Sequence, residues 1–148
     1  MAPIRESVEI ARKPEDVFAY VDDLSRHGEW QQEILDVHVE TDGPTRVGSR
    51  SRERRQMGLL KGTATYEVTE HEPGKVFAFR GVDGPVRVIG RVTLEALDAG
   101  ERTRLSLELD FTGHGIGALI APIARSHARK EVPQSQKRLK ERLESGSV

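Results

Sequence analysis

The chain has 148 residues, 36% hydrophobic and 32% charged, with 14 glycines and a formal net charge of −1. That length suits one domain that buries a core without disulfide or metal staples, so a single domain over residues 1–148 is expected. With no cysteine, disulfide frameworks, thiolate nucleophiles and cysteine-held zinc or iron–sulfur clusters are excluded, and the near-zero charge withholds the field that phosphate-backbone binding needs, so no nucleic-acid partner is expected.

The first residues, Met1 to Ser7, lack the apolar stretch of a secretory signal, and a cytoplasmic location is expected. From Ile4 to Ala11, Ile4, Glu6, Val8 and Ile10 alternate with Arg5, Ser7, Glu9 and Ala11, the two-residue period of a first strand. Lys13-Pro14-Glu15-Asp16 then places proline and acids where a helix begins, because the missing N–H costs nothing there and negative charge meets the positive dipole end. Val17, Phe18, Tyr20 and Val21 form the apolar face of this helix. Asp22 to Gly28 reads as a break followed by a second short helical turn.

After Trp30, a second strand is expected from Ile34 to Glu40 and a third from Val47 to Met57, separated by the turn signal Asp42-Gly43-Pro44. The third is unusually polar. Its run Arg50-Ser51-Arg52-Glu53-Arg54-Arg55 is the local exception to a neutral chain: either it is a set of arginines on the wet side of a strand or it grips an anion or a nucleic-acid backbone. Further strands are expected from about Thr63 to His71, Lys75 to Arg80, Val86 to Leu97 and Thr103 to Thr112. In the last of these Leu105, Leu107, Leu109 and Phe111 oppose Arg104, Ser106, Glu108 and Asp110, so one face is dry and one wet. The short loops permit antiparallel neighbours and a meander over strands three to seven.

Beyond Gly113-His114-Gly115 the period becomes helical, with Leu119, Ile123, Ala124, Ala128, Val132, Leu139 and Leu143 as the apolar stripe of a long C-terminal helix. Pro133 falls inside it, where a kink or break is expected. The longest nearly unbroken apolar run, Ile116 to Ala124, is too short to cross a bilayer.

Lys13-Pro14-Glu15-Asp16-Val17-Phe18, Asp23-Leu24-Ser25-Arg26-His27, Glu29-Trp30, Val47-Gly48 and Gly100-Glu101-Arg102-Thr103-Arg104 resemble successive landmarks of the START-like superfamily, specifically its polyketide cyclase/dehydrase-like branch. The last departs from the usual Gly-Gly-Thr-Arg turn by a small insertion in a surface hairpin. The resemblance covers nearly the whole chain. It implies an α+β helix-grip fold, a curved seven-stranded antiparallel sheet wrapped around a long C-terminal helix, with two short helices between strands one and two. It also implies an internal cavity, used by relatives to bind lipids, polyketides, quinones, plant hormones or hydrophobic drugs, and by some to catalyse cyclisation. No single catalytic motif of the family matches residue by residue, so only the cavity carries over.

On that frame the alternation from Val47 turns Ser49, Ser51, Glu53, Arg55 and Met57 inward, beside aliphatic positions such as Val88, Val92, Leu107 and Leu109. Buried ions rarely stay unpaired, so Glu53 and Arg55 either pair at the rim or present charge to a ligand. Tyr66 either donates to a ligand or packs in the core with its hydroxyl at the surface. Trp30 either anchors the helical turn or stacks on a ligand at the cavity mouth. Phe77 and Phe79 share one face and fit either core or cavity. Ile123 and His127 are placed on the covering helix, and His127 is a candidate for proton transfer. Of the other histidines, His27, His38 and His71 fall at positions that look exposed. Glu53, Arg55, Tyr66 and His127 are the catalytic candidates should the protein be a cyclase or dehydratase. No histidine pair has metal-site spacing and no dinucleotide or P-loop motif is present, so no metal and no cofactor are expected. The expected partner is a small hydrophobic molecule, in a monomer or homodimer without a membrane span.

Overall fold

The computed structural model describes residues 3–148; Met1 and Ala2, the start of the segment that lacks a signal stretch, lie outside the described residues. Strand β1 (Ile4–Ile10) is followed by helix α1 (Pro14–Val21) and a 3₁₀ turn (Leu24–Glu29). Then come β2 (Ile34–Val39), β3 (Arg50–Met57), β4 (Leu60–Glu72), β5 (Val76–Gly81), β6 (Val86–Leu97), β7 (Arg102–Gly113) and helix α2 (Gly117–Ser145). One open, seven-stranded antiparallel sheet forms in the order β1-β7-β6-β5-β4-β3-β2. From β2 to β7 it is the meander that the short loops allow, and β1 closes on β7 with Ile4 opposite Leu109 and Val8 opposite Leu105. Irregular register in β2 after Ile34 and in β4 after Val68 breaks the ladder where the sheet bends around the helix.

Alternation sets the two faces. Leu105 and Leu109 are buried while Arg104 and Glu108 are exposed, the assignment expected from β7 alone. The dry face meets two elements. Near the C-terminus of α2, Leu139 and Leu143, both 0% exposed, pack with Val17, Phe18 and Val21 of α1 and with Ile10, Phe77 and Leu105 of the sheet. Midway along α2, Ala128 and Val132 pack on Ile4 and Leu109. Polar ties fix the same end: Arg12 Nη1 donates to the Leu143 carbonyl at 2.6 Å, and Lys140 Nζ to the Glu9 carbonyl at 2.6 Å.

Two expectations for α2 are corrected. Of the kink or break expected at Pro133, the break does not occur, and the helix runs continuously from Gly117 to Ser145. Pro133 is exposed, so the carbonyl it cannot serve faces water, while Val132 beside it holds the helix to the sheet. Leu119 and Ile123, assigned to the buried stripe, are 75% and 58% exposed; Ala121 faces inward there, and Ala124 is buried as expected. The phase is set by contact at the first turn. Gly117 lies so close to the β5–β6 loop that a Cβ there would collide with the Pro85 carbonyl, and Gly113 would likewise collide with the Gly117 backbone.

Candidate ligand cavity

Small residues on α2 opposite a concave sheet leave space. Ala124 and Ala128 replace the bulk that leucines there would have supplied, and a cavity of about 360 Å³ opens between α2 and strands β3 to β7. Its floor is apolar: Val68, Phe77, Phe79, Val88, Val92, Leu105, Leu107, Leu109 and Phe111. Gly90 belongs to this floor by its register, and its missing side chain makes room for the Phe79 ring. The mouth lies where lining residues are also exposed, between the β3–β4 hairpin (Leu60, Lys61, Thr63), the β5–β6 loop (Gly84, Pro85) and the first turns of α2.

One corner is polar. Glu53, 3% exposed, and Arg55 project from β3, with Arg55 Nε donating to Glu53 Oε2 at 2.9 Å. Arg55 Nη1 donates to Glu33 Oε1 at 2.8 Å and Nη2 to Gln31 Oε1 at 2.7 Å. Tyr66 on β4 lies under the guanidinium, whose Cζ is 5.8 Å from the ring centroid. His27 supports Glu53 from the other side. Its Nε2 lies 2.7 Å from the Val21 carbonyl, which only accepts, so Nε2 carries a proton and Nδ1 faces Glu53 Oε1 at 3.6 Å. His127 Nε2 on α2 stands 2.9 Å from Glu33 Oε2, close enough for Coulomb attraction but not aligned as a hydrogen bond.

These contacts fix charge. Burial by itself pushes the Glu53 carboxyl up, but Arg55 and His27 more than offset it and bring the pKa down to about 2. Burial likewise works against the Arg55 cation, but Glu53, Tyr66 and Glu33 together outweigh it, so Arg55 is raised and stays charged. Burial raises Tyr66, which stays a neutral phenol. At neutral pH the corner therefore holds a locked carboxylate–guanidinium pair, which is a poor general acid or base because proton transfer needs a group poised near the working pH. Of the four catalytic candidates, that leaves His127 to move a proton.

Of the residues assigned to the site from sequence, Trp30, Ser51, Glu53, Arg55, Tyr66, Phe77, Phe79, Val88, Val92, Leu107, Leu109 and His127 all line the cavity. Ile123 does not; it points outward from α2. Glu53 and Arg55 sit in the wall and not as a pair at the rim. Trp30 combines both of its readings, lining the cavity while its ring packs edge-on against His27 with centroids 5.5 Å apart. The exposed positions expected for His27 and His71 are also corrected: His27 is buried, and His71 Nε2 bonds Asp22 Oδ1 at 2.6 Å under the edge of Phe18. Among the lining residues that sequence reasoning missed, His27, Gln31 and Glu33 are the ones that build the polar corner. Among the described residues no cluster of three or more histidine, aspartate or glutamate side chains is arranged to hold a metal, and no helix is long and apolar enough to cross a membrane.

A family model described as polyketide cyclase/dehydrase and lipid transport matches residues 1–144. The chain belongs to that family. Among solved structures it is similar to a protein from Thermus thermophilus, with 23% identity, 99% of both chains covered and a TM-score of 0.80. It is also similar to a START superfamily protein from Mycobacterium smegmatis, at 17% identity over 98% of this chain and 99% of that one, TM-score 0.79. A third likeness is to the ZhuI aromatase/cyclase from Streptomyces, at 18% identity over 98% of this chain and 92% of that one, TM-score 0.74. At these identities the likeness is one of fold, the START-like helix-grip. No protein of curated function matches the sequence.

Proposed function

We propose that this polyketide cyclase/dehydrase family member binds a small hydrophobic molecule, a lipid, polyketide, quinone or similar, within the cavity under α2. The observation that carries the reading is the cavity itself: about 360 Å³ with an apolar floor and one polar corner, in the range and style of small-molecule sites. A dry void of that size would cost on the order of 9 kcal/mol at roughly 24 cal/mol per Å³, comparable with the whole net stability of a domain. A molecule that fills it is therefore strongly coupled to folding. At 100 times its dissociation constant a ligand contributes about 2.7 kcal/mol, a rise in melting temperature of about 5–11 °C. Thermal shift against a panel of apolar compounds tests this, with Val88→Trp as the control because Val88 lines the floor. The reading fails if no compound shifts the wild type, or if the tryptophan variant binds a hit equally well.

A second reading, a cyclase or dehydratase acting on a cavity-bound substrate, draws on the His127–Glu33 contact inside the wall. In that reading His127 transfers the proton while Arg55 and Glu53 fix the substrate. His127→Gln then lowers turnover and leaves ligand affinity intact; equal losses in both assign His127 to binding alone.

A further inference from the structure

We infer that the cavity selects uncharged amphiphiles, those ending in a hydroxyl, phenol or carbonyl group, and rejects carboxylates and phosphates carrying the same apolar body. The inference rests on the ligand-binding reading above and adds the class of headgroup. Arg55 is the cation of the polar corner, and each of its three nitrogens already has an oxygen within 2.7–2.9 Å, from Glu53, Glu33 and Gln31. An arginine facing one acid could still take a ligand carboxylate through its free fork; this one is held on both sides.

The charge sum points the same way. Two carboxylates surround one guanidinium, and the other titratable groups against them are the neutral Tyr66 phenol, His27 beside Glu53 and His127 beside Glu33. One protonated histidine brings the corner to neutrality, and only both together would make it positive. An anionic headgroup would lose its water here and meet two carboxylates with no uncommitted cation, the arrangement that disfavours a charged form most. Lys61 at the mouth is exposed, and an ion pair in water there is worth too little to rescue an acid bound tail-first. An uncharged group finds partners. With Gln31 Oε1 engaged by Arg55, the Gln31 amide nitrogen keeps its two donors, and the Tyr66 phenol both donates and accepts.

The test compares two probes of equal chain length, dodecan-1-ol and dodecanoate, competing at about pH 7.5 for the full chain loaded with the neutral dye N-phenyl-1-naphthylamine, with thermal shift as a second readout. The alcohol is expected to displace the dye at a concentration lower by about tenfold or more, a cautious figure for burying an unpaired charge. Glu33→Gln removes one carboxylate and should narrow the gap to about threefold or less; Glu53→Gln serves if the first variant folds poorly by circular dichroism. Dodecanoate equalling dodecan-1-ol in the wild type would overturn the selectivity and leave cavity binding standing. A gap unchanged in a folded carboxylate variant would overturn its electrostatic origin. If neither probe displaces the dye nor shifts the melting temperature, both the selectivity and the binding reading fall.

Discussion

The Glu53–Arg55 pair makes a prediction whose size follows from its geometry. A fall in the Glu53 pKa from its ordinary 4.5 to about 2 means that the folded protein holds the carboxylate more strongly than the unfolded chain does. At about 1.4 kcal/mol per tenfold change in proton affinity this is about 3 kcal/mol. Because the folded value is the lower one, the contribution is fully present above pH 4.5 and is lost as the pH falls towards 2. Urea denaturation, which adds no screening salt, is to be run at steps from about pH 6 to pH 3 on the wild type and on Glu53→Gln. The wild type should lose stability more steeply, with most of the roughly 3 kcal/mol difference falling below about pH 4.5. Arg55→Met at neutral pH strands Glu53 as a buried anion and should cost about 3–5 kcal/mol, part of which the Glu53→Gln/Arg55→Met double variant recovers. Parallel pH curves for wild type and Glu53→Gln would refute the claim that buried charge at this corner is held by Arg55.

Leu139→Ala empties a fully buried position between α2 and α1 and should cost about 3 kcal/mol, lowering the melting temperature by about 6–12 °C in a thermal melt. Ala99, in the β6–β7 hairpin, has φ +56°; Ala99→Gly relieves the left-handed strain and should stabilise by about 0.5–1 kcal/mol in urea, whereas a loss would show that the alanine contact matters more than its backbone. Duplex DNA should bind only weakly and without sequence preference at physiological salt, measured by fluorescence anisotropy, because net charge is −1 and the arginines of β3 are paired with Glu67, Glu40, Asp36 and Glu53.

The strands were legible because one face of the sheet is dry. In β7 the leucines alternate without interruption, and in β3 parity alone, counted from Val47, places Glu53 and Arg55 inward although the strand begins only at Arg50. His27, Gln31 and Glu33 were not legible because they occupy a 3₁₀ turn and its exit, where no period relates sequence to direction. On α2 the expected Ala124, Ala128, Val132, Leu139 and Leu143 are buried, and only the first turns were misread, for a different reason. Counting apolar residues favours Leu119 and Ile123, but the helix is phased by a backbone contact at Gly117, and alanines, which carry little hydropathy signal, turn inward. A cavity is an absence of side chains, so a search for large apolar residues misses the elements that leave it open.

That Gly117–Pro85 contact also bears on kinetics. α2 is held at its first turn by backbone against backbone and at its far end by Leu139, Leu143, Arg12 and Lys140, so it cannot swing away as a rigid bar without breaking one or the other. On the proposed binding reading, passage of a ligand then falls to the opposite side of the mouth, the β3–β4 hairpin, whose tip turns on Gly58 at φ +61° and carries the fully exposed Leu59. On that reading the hairpin tip is the expected gate, since it touches neither floor nor polar corner. Stiffening it should slow association and dissociation by the same factor and leave the equilibrium constant unchanged, which stopped-flow mixing with a bound dye can read directly; a change in affinity alone would place the passage elsewhere.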